Sequence, residues 1–346
     1  MSGRLAGAFC LLLAAVASAA SPAYAQGPAT QGPAAQSPSV RESAAVSFLL
    51  ADEALPGAPV TVILAFPDLG AFSAYASARV SLRSEDGREL ASARFFPIDA
   101  AGSGAGALAA ALLAVPFTVP PMRASVMIEG CDAAAPADFR TLPLLIQPRS
   151  FTREEIALDQ TNSLLRNADD PRKAEESRVL WTLLNRFETD APRASGPFKP
   201  PVPSTRRTSG FGDRRTYIYN DGSKESAIHA GIDFGIPRGE SVRACASGIV
   251  VMARYRIVTG NSVVLSHYPG VYSLYYHLDG LEVAEGDRIE AGDLVGKSGS
   301  TGLSTGPHLH WEIRIAGNAA DPDALVAGGL LDKEAVISKI QTKYGR

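Results

Sequence analysis

From position 309 to 315 apolar and polar residues alternate. Leu309, Trp311, Ile313 and Ile315 fall on one side, His310, Glu312 and Arg314 on the other. A period of two is that of a half-buried β-strand and is incompatible with an amphipathic helix. His308 precedes the run by one residue and shares the polar side with His310, so the strand presents two imidazoles together on its non-core face. The chain has only five histidines in 346 residues, and the other three, His229, His267 and His277, lie upstream in the same C-terminal third.

That strand is the last of a series. From about 204 to 332 the signals are almost entirely β, with strands expected at 247–253, 262–267, 271–277, 288–295 and 309–315 between glycine-containing turns. A terminal helix is expected within 333–346. Upstream, 45–148 reads as a second β-rich domain with strands at 46–50, 60–64, 79–83, 90–96, 116–119, 125–128 and 142–146. Their number and spacing predict an N-terminal β-sandwich, immunoglobulin-like in type. It holds no histidine and no carboxylate pair at catalytic spacing, so it is read as a binding or spacer module.

Between the two domains, 149–203 switches to helical periodicity. Thr152 with Glu155 has the form of a capping box. Asp170-Pro171 marks a second helix start, followed by Leu180, Leu183, Leu184 and Phe187 at i, i+3, i+4, i+7. This is a helical connector, and 192–203 is a stiff, proline-rich linker.

The N-terminus indicates the compartment. One basic residue, an apolar run from 5 to 20 and Ala23-Tyr24-Ala25 predict a secretory signal peptide over 1–25. No stable membrane span remains once it is cleaved. Residues 26–44, rich in Pro, Gln, Ala and Ser, cannot bury enough surface to order themselves and are read as a disordered tether. The mature chain is thus expected to be exported, periplasmic or associated with the cell envelope. Cys131 and Cys245 then remain, and their placement in separate domains favours two buried, unpaired thiols. A net charge of −3 and the lack of a basic stripe argue against a nucleic-acid partner.

The chemistry is expected where His229-Ala230-Gly231-Ile232-Asp233 meets His308 and His310. In an extended chain i, i+2 and i+4 share a face, so His229 and Asp233 point together, with Gly231 leaving room for an ion. A catalytic zinc takes three nitrogen or oxygen ligands and keeps one open position. His229, Asp233, His308 and His310 exceed that need by one, and His277 adds another free imidazole for proton transfer. The remaining groups read as ordinary structure: His267 as a strand-end residue, Glu312 as a solvated strand residue, and Arg214 and Arg215 as a solvated turn. The Gly-Lys-Ser at 296–298 lacks both the first glycine of a phosphate loop and a helix behind it.

Taken in order, Thr208-Ser209-Gly210-Phe211-Gly212, His229-x-x-x-Asp233, Tyr276-His277-Leu278, Gly286-Asp287, Gly299-Ser300-Thr301-Gly302 and Gly306-Pro307-His308-Leu309-His310 resemble the lysostaphin/LytM-type zinc metallopeptidases over roughly 200–325. The resemblance implies a β-sheet groove with one Zn2+ held by His229, Asp233 and His310. It implies that His277 and His308 serve the chemistry, and that the substrate is the peptide stems or cross-links of peptidoglycan. One departure is the long stretch 216–226 before His229, expected as a loop over the groove. A non-catalytic regulator of a partner hydrolase is the alternative, against which stands the retention of all five positions. A biotinyl-type carrier is disfavoured, because no lysine sits at a recognisable hairpin tip with methionine neighbours.

Overall fold

A computed structural model describes residues 46–66, 75, 77–103, 105–130, 140–188, 191, 194, 197–328, 330–331 and 333–344. The expected signal peptide and tether, and Cys131, lie outside these residues. None of the described helices is long and apolar enough to cross a membrane.

The N-terminal region contains β1 (Val46–Leu49), β2 (Glu53–Ala54), β3 (Pro59–Phe66), β4 (Arg79–Arg83), β5 (Glu89–Arg94), β6 (Phe96–Ile98), β7 (Ala107–Ala114), β8 (Met122–Glu129) and β9 (Thr141–Ile146). They form two sheets, ordered β1-β3-β7-β6 and β2-β9-β8-β4-β5. Val62, Leu64, Ala109 and Leu113 of the first sheet share a buried core with Val80, Leu82, Val126 and Leu144 of the second, as a sandwich requires.

Strand β7 was not expected, whereas 116–119, expected as a strand, forms a turn. The reason is burial on both faces. Ala109, Ala111 and Leu113 face the second sheet, while Leu108, Ala110 and Leu112 join the core of the C-terminal half. A strand covered on both sides loses its alternation. The same outer face of the first sheet contributes Phe48, Ile63 and Phe96 to a cluster that includes Phe211, Ile232, Phe234 and Trp311. The two halves are therefore joined by a continuous apolar core.

The connector differs from its expected form. Residues predicted as a capped helix start at 152–155 are instead strand β10 (Arg153–Ala157), parallel to a later strand. The helix begins after it: α1 (Gln160–Asn167) is capped by Asp159, whose carboxylate accepts from Asn162 N at 2.8 Å. Helix α2 (Pro171–Leu184) starts as expected, with Asp170 accepting from Arg172 N and proline in the first turn. Leu183 and Leu184 pack with Met252, Val264, Leu274 and Tyr276. The proline-rich stretch is anchored to the domain: Phe198 and Val202 are buried, and Lys199 N donates to Cys245 O at 2.7 Å.

The C-terminal half adds β11 (Arg207–Ser209), β12 (Arg214–Ile218), β13 (Lys224–Ile228), β14 (Gly231–Phe234), β15 (Ser241–Arg243), β16 (Gly248–Arg256), β17 (Gly260–Tyr268), β18 (Val271–Leu278), β19 (Gly280–Leu281), β20 (Arg288–Ile289), β21 (Leu294–Lys297), β22 (Leu309–Ile315) and β23 (Asn318–Ala320). Its main sheet runs β11-β14-β22-β18-β17-β16-β20, with β23 beside β22. The run expected as one strand at 288–295 is divided into β20 and β21 by the Gly292 turn. Helices α3 (Pro322–Gly328), which was not expected, and α4 (Lys333–Tyr344) close the chain. Val336 and Ile340 of α4 enter the common core, and Lys339 Nζ reaches Leu49 O at 2.8 Å.

The stretch expected as a loop over the groove is a hairpin. Strands β12 and β13 pair antiparallel around a turn at Gly222, and β10 adds a third strand on the other edge of β12. This small sheet forms one wall above the polar face of β22.

Candidate metal centre

Strand β22 alternates as its sequence requires. Leu309, Trp311, Ile313 and Ile315 are fully buried in the main core. The other face is not open: His310 and Glu312 are only 8% and 6% exposed. They form the floor of a cavity of about 380 Å³ whose lining includes Ile156, Leu158, Tyr217, Ile228, Tyr276 and Leu303. Beside β22, β14 sets Asp233 opposite His310 and Gly231 opposite Glu312. Gly231 is needed for strand packing, since a Cβ there would lie 2.3 Å from Trp311 O. It gives β22 room to approach, a different role from the expected space for an ion.

Three donor atoms converge. His229 Nε2 lies 3.1 Å from Asp233 Oδ1 and 2.9 Å from His310 Nδ1, and His310 Nδ1 lies 2.8 Å from Asp233 Oδ1. The far nitrogens decide what these contacts are. His229 Nδ1 donates to Gly210 O at 2.7 Å, and His310 Nε2 donates to a carboxylate oxygen of Glu312 at 3.0 Å. Both partners only accept, so each neutral ring carries its proton on the outer nitrogen. The inner nitrogens then turn lone pairs towards an anionic oxygen that also has only lone pairs. Three acceptors about 3 Å apart repel one another unless a cation sits among them. Two histidines and one carboxylate match the donor set and count of a zinc site with an open position.

The electrostatics favour the same occupant. Burial pushes the Asp233 carboxyl up, but the imidazoles of His229 and His310 against it outweigh burial and hold the group well below the carboxylate range. In the metal-free protein burial lowers His310, yet Asp233 and Glu312 raise it to about 9, so near pH 7 a proton on Nδ1 takes the place of the cation. The pocket thus demands positive charge. Glu312, expected to be solvated, is a buried partner of His310 and is itself paired with Arg314 at 2.7 Å.

His308 and His277 adjoin this triangle, their rings 4.7 Å apart. His308 Nε2 lies 3.9 Å from Asp233 Oδ1. Its Nδ1 donates to Gly306 O at 2.8 Å, and His277 Nδ1 donates to Thr301 O at 2.8 Å. Each neutral ring therefore keeps an unprotonated Nε2. His277 has φ of 61°, uncommon for a residue other than glycine, and this break in the β18 alternation puts both Tyr276 and His277 on the cavity lining. The Tyr276 ring stacks on His310 at 5.4 Å. Burial lowers His277 to about 3 and also lowers His308, so both are neutral near pH 7.

The structure brings together all five residues expected at the site, and His267 lies elsewhere. Residues 227–322 match peptidase family M23. The C-terminal domain is an M23 peptidase domain. The DD-carboxypeptidase/endopeptidase Mpg of Neisseria meningitidis is 41% identical over 122 residues, which are 35% of this chain and 27% of that protein. The peptidoglycan DD-endopeptidase ShyA of Vibrio cholerae is 37% identical over 138 residues, covering 39% and 31% of the two chains. The chain thus spans about a third or less of the length of these relatives. An M23 peptidase structure from Pseudomonas aeruginosa aligns with 80% of this chain and 96% of its own, at 20% identity and a TM-score of 0.50, and so shares the fold.

Arg215, Glu154 and Tyr276 also surround this cluster; Glu154 drew no expectation from the sequence, and Tyr276 entered only as part of the Tyr276-His277-Leu278 motif. Arg215, expected in a solvated turn, is buried and donates to Asp233 Oδ2 at 2.6 Å. Arg214 donates to Phe117 O at 3.0 Å. The thiol of Cys245 is buried and unpaired, its pKa pushed up to about 11 by burial.

Proposed function

We propose that this chain is an exported zinc-dependent endopeptidase that cleaves peptide stems or cross-links of peptidoglycan, acting in the periplasm or cell envelope. The observation that carries the reading is the triangle of lone pairs from His229, Asp233 and His310, which needs a cation, beside two neutral histidines that do not join it. The name of the ShyA relative, a peptidoglycan DD-endopeptidase, supports the substrate class, and that of Mpg, a DD-carboxypeptidase/endopeptidase, supports the type of cleavage.

Within this reading His229 Nε2, Asp233 Oδ1 and His310 Nδ1 hold the metal. Zinc, when bound, supplies Lewis acidity towards a peptide carbonyl and acidifies water. His308 and His277 are the catalytic residues. Each is neutral at working pH, has a carbonyl-anchored Nδ1 and offers Nε2 as a proton acceptor. Once protonated, the same nitrogen returns the proton to the leaving amine or donates to the developing oxyanion. Tyr276 and the backbone contacts of His277 fix ring orientation, which limits the reorganisation needed during reaction. The apolar lining from Ile156, Leu158 and Leu303 excludes bulk water around an extended peptide.

The test is digestion of purified peptidoglycan by the protein, with and without a chelator and with zinc restored, followed by analysis of the released muropeptides. Chelator-sensitive cleavage of peptide bonds is expected. Zinc binding without cleavage by the wild-type protein would instead favour a regulator of a partner hydrolase.

A further inference from the structure

The carboxylate of Asp233 has two oxygens with separate partners. Oδ1 belongs to the donor triangle, and Oδ2 accepts from Arg215 Nη2 at 2.6 Å. Arg215 is held in turn from outside the family match. Its Nε donates to Glu154 Oε1 at 2.5 Å, and the same oxygen accepts from Ser209 Oγ at 2.8 Å. Glu154 and Arg215 are cross-strand neighbours in the β10–β12 pair, so the backbone sets their contact. The side chains of Arg215 and Asp233 are 12% and 8% exposed, and that of Glu154 is 25% exposed.

We infer that Glu154 and Arg215 are positioning residues for the metal centre, Glu154 bracing Arg215 so that Asp233 presents Oδ1 alone to the ion. A carboxylate bound through one oxygen is free to rotate unless the other is tied. Arg215 ties it, but a guanidinium alone beside a metal ligand also competes with the cation for the carboxylate's charge. Glu154 meets that competition by sharing the guanidinium. The net charge of Glu154, Arg215 and Asp233 remains negative, as a site for a divalent cation requires. The metal centre of the domain at 227–322 therefore depends on a strand some seventy residues upstream.

This inference rests on the zinc-peptidase reading. The test measures zinc affinity of the full chain by competition with a chromophoric chelator, for the wild type, Glu154→Gln and Glu154→Ala. Loss of an outer partner of a metal ligand typically weakens metal binding by ~10–100-fold. Glu154 acts one contact further out, through Arg215, so a loss of about tenfold, the lower end of that range, is expected for Glu154→Ala and a smaller loss for Glu154→Gln, whose amide oxygen still accepts from Arg215. The thermal midpoint of the metal-free protein separates this from general damage: Glu154→Gln is expected to match the wild type without zinc and fall below it with zinc. Two variants that hold zinc as tightly as the wild type overturn the inference and leave the peptidase reading standing. A wild-type chain that binds no zinc overturns both.

Discussion

His267 and His310 lie in the same sheet with one strand between them, both almost cut off from water, yet only His310 belongs to the proposed metal centre. His267, on β17, faces the main core. Its Nδ1 lies 2.8 Å from Ser247 O and its Nε2 2.7 Å from Ser273 Oγ. A carbonyl accepts and a hydroxyl can donate, so both ring nitrogens of a neutral imidazole are satisfied and nothing further is needed. His310, on β22, faces the other side of the sheet, where its Nδ1 meets only acceptors. Burial of a histidine therefore carries little information. The chemistry of what faces the second nitrogen separates a structural imidazole from a metal ligand.

The most severe way to break this contrast is to remove the proposed ligand. His310→Ala is expected to abolish zinc retention and to reduce peptidoglycan cleavage beyond the ~10–100-fold typical of outer partners. Metal content after dialysis and muropeptide release report the two effects. Cleavage at the wild-type rate would remove His310 from the ligand set. His308→Ala and His277→Ala should behave differently, keeping the metal while losing ~10²–10⁴-fold in turnover, the usual contribution of a positioned acid or base. Loss of zinc in either variant would make that residue a ligand.

How far this difference was legible in the sequence depends on distance along the chain. The alternation at 309–315 fixed which side chains share a face, and the family motifs singled out five polar residues that the structure places together. Alternation did not reveal that the polar face is roofed, because the roof comes from β10, α1 and the β12–β13 hairpin. Residues 153–157 have a local helical preference, which pairing with β12 overrides. That pairing gives Glu154 its contact with Arg215, so no local signal marked either residue. Strand β7 was missed for a related reason: coverage on both faces erased its period.

His267 supplies a test of the closed environment. Burial lowers its pKa to about 4, against ~6.5 in an unfolded chain. The unfolded state therefore takes up a proton first as pH falls. This contribution to stability is fully present above about 6.5 and is lost progressively down to about 4, amounting to about 3 kcal/mol. His267→Gln removes that titration. The stability difference between wild type and variant should shift by this amount in favour of the variant between pH 7 and pH 4, as read from denaturant midpoints of metal-free protein. A difference independent of pH would show that His267 is not held neutral by its surroundings.

The smallest expected effect falls on the partner that distinguishes His310 most finely. Glu312 accepts from His310 Nε2 at 3.0 Å and is held by Arg314; despite burial, Arg314 and His310 keep its carboxyl far below the usual range. An anionic acceptor at Nε2 makes Nδ1 a better donor to a cation, whereas the Ser273 hydroxyl facing His267 gives no comparable push. Glu312→Gln keeps the size and the hydrogen-bond acceptor but removes the charge. Zinc affinity should fall by about tenfold, at the lower end for such partners, with the metal-free fold retained. Affinity equal to that of the wild type would mean that Glu312 only orients the ring, leaving the lone-pair geometry at Nδ1 as the whole difference between the two histidines.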